Sequence, residues 1–251
     1  MLLFDAGNSR CKWAWIENGA WLRQGVLDNS DEIAWQKLRE LFETLAAPQK
    51  ILVSNVAGAA LEKRLLGLCS LWSCPVQFVV AQAVQCGVRN DYTNAAQLGS
   101  DRWAALIAAW QRVQGACLVV NCGTATTVDA LSDSGTFLGG LILPGMALMQ
   151  RSLLHNTAQL GLLHGELTDF PRNTADAIAS GALQATLGAI RQQYALLSAI
   201  SPAHCILSGG AASSLFPYLG LKAEQVDNLV LQGLHIMGQD CLKITKSETA
   251  A

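Results

Sequence analysis

The sequence predicts an α/β protein made of two related halves, residues 1–115 and 116–251. Two observations support this prediction. Each half opens with three strand-like apolar segments and then changes to helical spacing of its apolar residues. A strand that runs into a glycine loop also occurs twice, because Asp5 and Gly7 are followed 116 residues later by Asn121 and Gly123. An internal duplication explains both observations.

In the first half the predicted order is three strands, a helix, a strand, a helix and a strand. Asn18-Gly19 is a favourable two-residue turn between the second and third strands. Ser30-Asp31-Glu32 is typical of a helix start, and Pro48 ends that helix. The predicted elements lie at 2–4, 11–17, 20–27, 30–47, 51–56, 59–72 and 76–81.

The second half is predicted to begin in the same way and then to mix helices and strands. Asp133-Ser134-Gly135 marks the turn between its second and third strands. The predicted strands lie at 117–121, 126–131, 136–143 and 205–208, and the predicted helices at 146–154 and 226–237.

Composition narrows the possible function classes. Hydrophobic residues make up 51% of the chain and charged residues only 14%, which excludes a disordered protein. The net charge is −2 and no basic run exceeds two residues, so we expect no nucleic-acid partner. The apolar stretches are shorter than a membrane span, and the N-terminus lacks the basic segment of a signal peptide. We therefore expect a cytoplasmic protein with reduced cysteines and no membrane partner.

The first candidate ligand loop follows the first predicted strand and reads Asp5-Ala6-Gly7-Asn8-Ser9-Arg10-Cys11-Lys12. Its glycine lets the backbone approach a phosphate, and its turn can point amide N–H groups outward. Asn8 and Ser9 add short donors, and Lys12 adds a positive charge. Asp5, at the strand end, is suited to Mg²⁺. An ordinary hairpin turn is the alternative explanation of this segment.

Two further glycine loops follow later strands. The segment Asn121-Cys122-Gly123-Thr124-Ala125-Thr126-Thr127 is rich in hydroxyl groups, which suits an oxyanion, although threonine also favours strands. Gly209-Gly210 separates a strand from a helix and permits close approach of a phosphate; a plain connection that needs left-handed residues is the alternative. In duplicated halves, the first two loops would face each other across a cleft and hold a polyphosphate.

Together these loops resemble the nucleotide-binding pattern of the acetate kinase, sugar kinase, heat-shock ATPase and actin superfamily. Within it the chain is similar to type III pantothenate kinases along nearly its whole length. The resemblance implies two duplicated ribonuclease-H-like βββαβαβ halves, the actin-like ATPase fold, with a nucleotide cleft between them. The matching segments are Asp5 to Lys12, Gly99-Ser100-Asp101-Arg102, Gly123 to Thr127, Gly139 to Gly145, and Asn173-Thr174 with Ala177-Ile178 and Gly181.

The resemblance implies ATP-dependent phosphorylation of pantothenate to 4′-phosphopantothenate, the first step of coenzyme A biosynthesis. Asp101 lies in the first turn of a predicted helix and would be the catalytic general base. Arg102 would hold the substrate through its carboxylate. The substrate-binding residues implied by the resemblance are Tyr92, Gly99, Ser100, Asp101, Arg102, Thr157 and Thr174.

ATP and Mg²⁺ are the implied cofactors, with nucleotide contacts along Asp5 to Lys12 and at Gly123 and Thr124. The resemblance also implies a homodimer in which Thr157 reaches the site of the other subunit. Many family members carry Asp where this chain has Asn121, and that Asp ligates K⁺ or NH₄⁺. An amide oxygen can still coordinate the cation but brings no negative charge, so dependence on K⁺ or NH₄⁺ stays open here.

The sequence is also compatible with two other functions. A sugar or amino-sugar kinase of the same superfamily would also use an aspartate base after the first half. A non-catalytic regulatory protein would keep the fold and bind a nucleotide or another protein. The presence of Asp5, Lys12, Asp101 and Arg102 argues against the non-catalytic alternative.

Overall fold

The structure, a computed structural model, describes residues 1–155 and 165–248. These residues form two compact units. The first contains Met1–Ala108 and the C-terminal helix that begins at Leu229, and the second contains Ala109–Asn228. The predicted halves 1–115 and 116–251, and the nucleotide cleft predicted between them, stay predictions.

The first unit is built on a five-stranded sheet. Its strands and helices are β1 (Leu2–Ala6), β2 (Arg10–Glu17), β3 (Ala20–Asp28), α1 (Glu32–Glu43), β4 (Ile51–Asn55), α2 (Ala59–Cys69) and β5 (Val76–Phe78). The strand order is β3-β2-β1-β4-β5, in which β1, β2 and β3 are antiparallel neighbours and β1, β4 and β5 are parallel. Along the chain, these elements follow the predicted βββαβαβ order.

Local signals explain where several of these elements begin and turn. The carboxylate of Asp31 accepts a hydrogen bond of 3.0 Å from the backbone N–H of Ala34 and so caps α1. Asn18 (φ 50°) and Gly19 (φ 80°) form the turn between β2 and β3 in the left-handed conformation that this turn type requires. The helix therefore begins two residues after the predicted Ser30, and the predicted turn is present.

An aromatic cluster fills the core of the first unit and explains the bias in tryptophan positions. Phe42 of α1 is fully buried, and its ring lies 5.3 Å from Trp13, 6.1 Å from Trp15 and 5.5 Å from Trp72. These centroid separations are in the range of favourable aromatic pairs. All seven tryptophans lie at or before residue 110, and at least these three pack into this core.

Two elements that carry site residues follow this sheet along the chain. A short hairpin consists of β6 (Val84–Gln85) and β7 (Val88–Asn90), and its turn places Cys86 at φ 49° and Gly87 at φ 81°. After a single 3₁₀ turn, α3 (Ser100–Val113) begins at the predicted Gly99-Ser100-Asp101-Arg102 segment. The hairpin was not predicted, because a cysteine in a left-handed position gives no turn signal.

The second unit repeats the topology of the first. It contains β8 (Cys117–Cys122), β9 (Ala125–Leu131), β10 (Thr136–Pro144), α4 (Met146–His155), α5 (Thr174–Ser198), β11 (His204–Ser208), α6 (Ala212–Leu215) and β12 (Glu224–Gln225). Its strands are ordered β10-β9-β8-β11-β12, again with three antiparallel strands followed by two parallel ones. The shared order confirms the predicted α/β fold of two duplicated ribonuclease-H-like units.

The last helix, α7 (Leu229–Glu248), packs against β1 and β4 of the first unit. It approaches α3 so closely that a Cβ atom on Gly233 would overlap the carbonyl oxygen of Ala104. Its predicted start at Val226 is three residues early. Among the residues that the structure describes, none of the helices has the length and hydropathy needed to cross a membrane.

Candidate active site

A carboxylate stands at the end of β1 in the first unit. Asp5 pairs across the antiparallel ladder with Lys12 and across the parallel ladder with Ser54. Burial raises the pKa of Asp5 to about 7, the positive charge of Lys12 opposes this rise, and the charge of Asp101 adds to it. Asp5 therefore lies in the electrostatic neighbourhood of both Lys12 and Asp101.

The first glycine loop joins β1 to β2 and presents its backbone to solvent. The N–H of Gly7 donates to the carbonyl of Arg10 over 3.1 Å, and the side chains of Asn8, Ser9 and Arg10 are exposed. The side chains of Ala6 and Cys11 are fully buried, so only their backbone groups can meet a ligand. Burial also raises the pKa of the Cys11 thiol, which makes it a poor nucleophile.

The N-terminus of α3 carries the predicted base. The carboxylate of Asp101 accepts a 2.8 Å hydrogen bond from the N–H of Arg102. Burial raises the pKa of Asp101, and hydrogen bonding and the charge of Arg102 partly oppose the rise. A Cβ atom on Gly99 would lie 2.6 Å from Asp101 Oδ1, so a side chain there would displace the carboxylate.

A buried pair of hydroxyl groups connects the start of α3 to the sheet. Ser100 Oγ and Ser54 Oγ are 2.9 Å apart, and their side chains are 7% and 0% exposed. Ser54 is the parallel register partner of Asp5. The hydrogen bond therefore links the helix that carries Asp101 to the strand next to Asp5.

Arg102 and Tyr92, both predicted to bind the substrate, contact each other in the structure. Arg102 is 5% exposed, and its Nη1 donates to Tyr92 Oη over 3.2 Å. Its guanidinium carbon lies 5.9 Å from the centre of the Tyr92 ring. Asn90 orders this loop, because its Oδ1 accepts the N–H of Tyr92 over 3.1 Å and its Nδ2 donates to Ala95 over 3.1 Å.

The second glycine loop joins β8 to β9 in the second unit. Gly123 and Thr124 are exposed, and the N–H of Gly123 donates to Ala125 over 3.0 Å. The N–H of Gly145, just after β10, donates to the carbonyl of Thr124 over 2.9 Å. A Cβ atom on Gly145 would overlap the carbonyl of Gly123, so only glycine allows this close approach.

Asn121 sits at the end of β8 between Thr127 of β9 and Ser208 of β11. Gly209 follows β11 with φ +97°, and a Cβ atom there would lie 2.7 Å from Asn121 Oδ1 and 2.5 Å from the carbonyl of Cys122. The third glycine loop therefore packs against the second within this unit. Its glycine is required by both conformation and space.

Thr174 is exposed at the first position of α5 in the second unit. It lines a pocket of about 310 Å³ that is otherwise formed by small and apolar side chains of α4 and α5, including Met149 and Ile178. Thr157, the other predicted threonine, lies outside the described residues. Within the described ranges, no three His, Cys, Asp or Glu side chains gather as a metal site.

Three residues that hold the candidate site segments in place were not predicted from the sequence: Asn29, Ser54 and Asn90. Their hydrogen-bond partners Gly7, Ser100 and Ala95 lie 22, 46 and 5 residues away in the chain. The first two contacts join segments that are distant in the chain, depend on tertiary packing and carry no local pattern. Asn90 had a usable signal, since Asn-Asp-Tyr before a turn favours an Asx turn.

Comparison with known proteins gives one consistent result. The sequence profile of the family described as type III pantothenate kinase matches residues 1–196. A type III pantothenate kinase of Nitrosospira multiformis is 46% identical over all of this chain and 94% of its own length. Another, from Aromatoleum aromaticum, is 46% identical over 96% of this chain and 98% of its own.

The fold is also similar to that of solved structures. The crystal structure of MreB 5 of Spiroplasma citri bound to AMPPNP matches with a TM-score of 0.52 and 11% identity. The match covers 98% of this chain and 98% of that one. At this identity the likeness concerns the fold alone, and it supports the actin-like ATPase architecture.

Proposed function

This chain belongs to the type III pantothenate kinase family, and we propose that it phosphorylates pantothenate with ATP through the residues described above. The products are 4′-phosphopantothenate and ADP. The observation on which the assignment of roles depends is the start of α3, where Asp101 and Arg102 are adjacent and Arg102 contacts Tyr92. Family membership favours this function over the sugar-kinase and regulatory alternatives.

Asp101 is proposed as the general base. The primary hydroxyl oxygen of pantothenate attacks the γ-phosphorus of ATP, the bond from that phosphorus to the β,γ-bridging oxygen breaks, and the hydroxyl proton passes to Asp101. A carboxylate in bulk water is a weak base near neutral pH. The raised pKa of Asp101 supports the proposed role, because it brings the group closer to the operating pH.

Arg102 and Tyr92 are proposed to bind the carboxylate of pantothenate. A guanidinium is a planar set of donors that matches a carboxylate, and Arg102 keeps its charge at any working pH. The hydrogen bond to Tyr92 fixes its orientation before substrate arrives. Gly99 and Ser100 support this site from the helix start, and Thr174 and Thr157 are proposed as further substrate contacts.

Phosphate binding is proposed for the loop from Asp5 to Lys12 together with Gly123 and Thr124. The family reaction uses ATP and a divalent metal, and we propose Mg²⁺ with Asp5 as its protein ligand. The fit is good because Asp5 supplies hard oxygen ligands, and its pKa near 7 marks a buried charge that a cation would neutralise. When bound, the cation neutralises phosphate charge.

Three further proposals rest on the family alone. The Asn121 amide oxygen is proposed as a ligand for K⁺ or NH₄⁺, which predicts weaker dependence on these ions than in relatives with Asp at this position. A cytoplasmic homodimer is proposed, with Thr157 reaching the partner's site. Light scattering of the purified protein, and activity of Thr157→Ala, test the dimer and this contact.

An ADP-release assay tests the function. Wild-type protein with ATP, Mg²⁺ and K⁺ should turn over only when pantothenate is added, and a panel of sugars and amino sugars should give none. Asp101→Asn should lower kcat by about 10² to 10⁴-fold, whereas Asp133→Asn, an exposed turn residue of the second unit, should not. Activity on a sugar alone, or an unchanged kcat for Asp101→Asn, would overturn the proposed reaction or the proposed base respectively.

A further inference from the structure

We propose that Asn29 is a positioning residue for ATP: its side-chain amide holds the first glycine loop so that the loop presents backbone N–H groups to the phosphates. Asn29 lies between β3 and α1, outside every segment assigned above to ligand binding. The proposal rests on the phosphate-binding function proposed for the loop. It adds a residue that acts on the ligand through the loop backbone.

Three hydrogen bonds join Asn29 to consecutive residues of the loop. Its Nδ2 donates to the carbonyl oxygens of Gly7 over 2.8 Å and of Asn8 over 3.0 Å. Its backbone N–H donates to the carbonyl oxygen of Ser9 over 3.0 Å. A side-chain amide has two N–H donors, so both are used on this loop.

These bonds set the direction of the loop's amide groups. The peptide bonds are trans, and in a trans peptide the N–H and the C=O point in opposite directions. Because the carbonyls of Gly7 and Asn8 point towards Asn29, the N–H groups of the same peptide units point away from it. Those N–H groups belong to Asn8 and Ser9, whose side chains are exposed. Successive backbone N–H groups on one side of a turn form an anion-binding arrangement.

The backbone of Asn29 is itself held by Arg64 of α2. Arg64 Nη1 donates to the backbone carbonyl oxygen of Asn29 over 2.9 Å. The guanidinium of Arg64 also forms an ion pair with Glu32 and lies 5.2 Å from the Trp35 ring centre. These contacts tie the backbone of Asn29 to α1 and α2, so the loop is fixed to the body of the first unit through Asn29.

The two N–H donors of Nδ2 explain why asparagine suits this position better than aspartate. Asn29 Oδ1 is buried and has no hydrogen-bond partner among the described residues. An aspartate would place carboxylate oxygens against the carbonyls of Gly7 and Asn8, where lone pairs would face lone pairs. It would also leave a buried negative charge beside a loop that binds phosphate.

The test compares two variants that make the same chemical change at opposite ends of β3. Asn29→Asp should raise the KM for ATP about 10- to 100-fold, the effect of losing two hydrogen bonds and adding repulsion, and leave the KM for pantothenate within about twofold. Asn18→Asp, in the exposed turn before β3, adds the same charge and should match wild type. Asn29→Ala should show a smaller rise in the KM for ATP, because the repulsion is absent.

Outcomes that count against the proposal are distinct from failure of the proposed function. Folding of each variant is checked by its thermal midpoint, and ADP affinity is measured by calorimetry without pantothenate. An unchanged KM for ATP in folded Asn29→Asp and Asn29→Ala, or equal loss for both substrates, would overturn the positioning role. If wild type binds ADP but does not phosphorylate pantothenate, the function fails while the ADP affinities still decide the role of Asn29. If wild type binds no ADP, the role of Asn29 is overturned as well.

Discussion

Replacing Asp5 by asparagine should stabilise the metal-free protein while removing its activity. Burial and the nearby charge of Asp101 raise the pKa of Asp5 from 3.8 to about 7, so the folded state binds the Asp5 proton more tightly than the unfolded chain does. Stability therefore falls as pH rises from about 4 to 7 and stays low above that window. An asparagine side chain does not ionise, so Asp5→Asn removes the cost of burying a negative charge.

The expected gain in stability can be worked out from the pKa shift of Asp5. A rise from 3.8 to about 7 at 1.36 kcal/mol per pKa unit corresponds to roughly 4 kcal/mol at pH 8. Local relaxation reduces this value, so we expect a gain of about 2 to 4 kcal/mol. For a chain of this length that is a rise in thermal midpoint of roughly 5 to 15 °C.

Unfolding followed by tryptophan fluorescence in EDTA measures the gain. All seven tryptophans lie at or before residue 110, so the signal reports mainly on the first unit. Asp5→Asn should exceed wild type at pH 8 and equal it near pH 4, and Asp133→Asn should follow wild type at both. A variant less stable than wild type at pH 8 would refute the reasoning, since it would mean that ionised Asp5 is stabilised by its surroundings.

Two further substitutions test the glycine loop after β11 and the hydroxyl pair. Gly209→Ala should cost about 2 kcal/mol or more and weaken ADP binding, because its Cβ would meet the carbonyl of Cys122 at 2.5 Å and at positive φ; Gly188→Ala, with open space in α5, should gain about 0.5 to 1 kcal/mol. Ser54→Ala should cost about 1 to 3 kcal/mol and lower kcat, since it leaves the buried hydroxyl of Ser100 without its partner. Thermal unfolding measures the stability of all three variants. Calorimetry measures ADP binding by Gly209→Ala, and the ADP-release assay measures kcat of Ser54→Ala.

An unchanged thermal midpoint or kcat would contradict the structural reason given for each substitution. A wild-type midpoint for Gly209→Ala would mean that the backbone after β11 adopts another conformation. An unchanged kcat for Ser54→Ala would mean that the start of α3 is held by its other contacts, and the pair would then have only a stabilising role.

The order of strands and helices along the chain could be predicted from the sequence because its signals are local. The Asn18-Gly19 turn and the change from alternating to helical spacing of apolar residues fix β1 to α1 without reference to the rest of the chain. The ends of elements were predicted less well. The helix expected over 59–72 ends at Cys69, because Leu71 and Trp72 pack against the core from a turn rather than from a helix.

The candidate site also combines residues that a local pattern predicts with contacts that no local pattern predicts. Asp5 and Lys12 were predicted from one short segment, and strand pairing places them opposite each other. The contacts of Asn29 with Gly7 and of Ser54 with Ser100 join segments 22 and 46 residues apart. Such contacts depend on tertiary packing, so no pattern in a single sequence indicates them.

The C-terminal helix α7 has a consequence for synthesis of the chain. It packs against β1 and β4, the strands at the centre of the first sheet, yet it is the last described element to leave the ribosome. The second unit, Ala109–Asn228, is translated in between. The apolar face that α7 covers is therefore unprotected on the nascent chain until residues 229–248 have been translated, and the second unit can finish folding before the first.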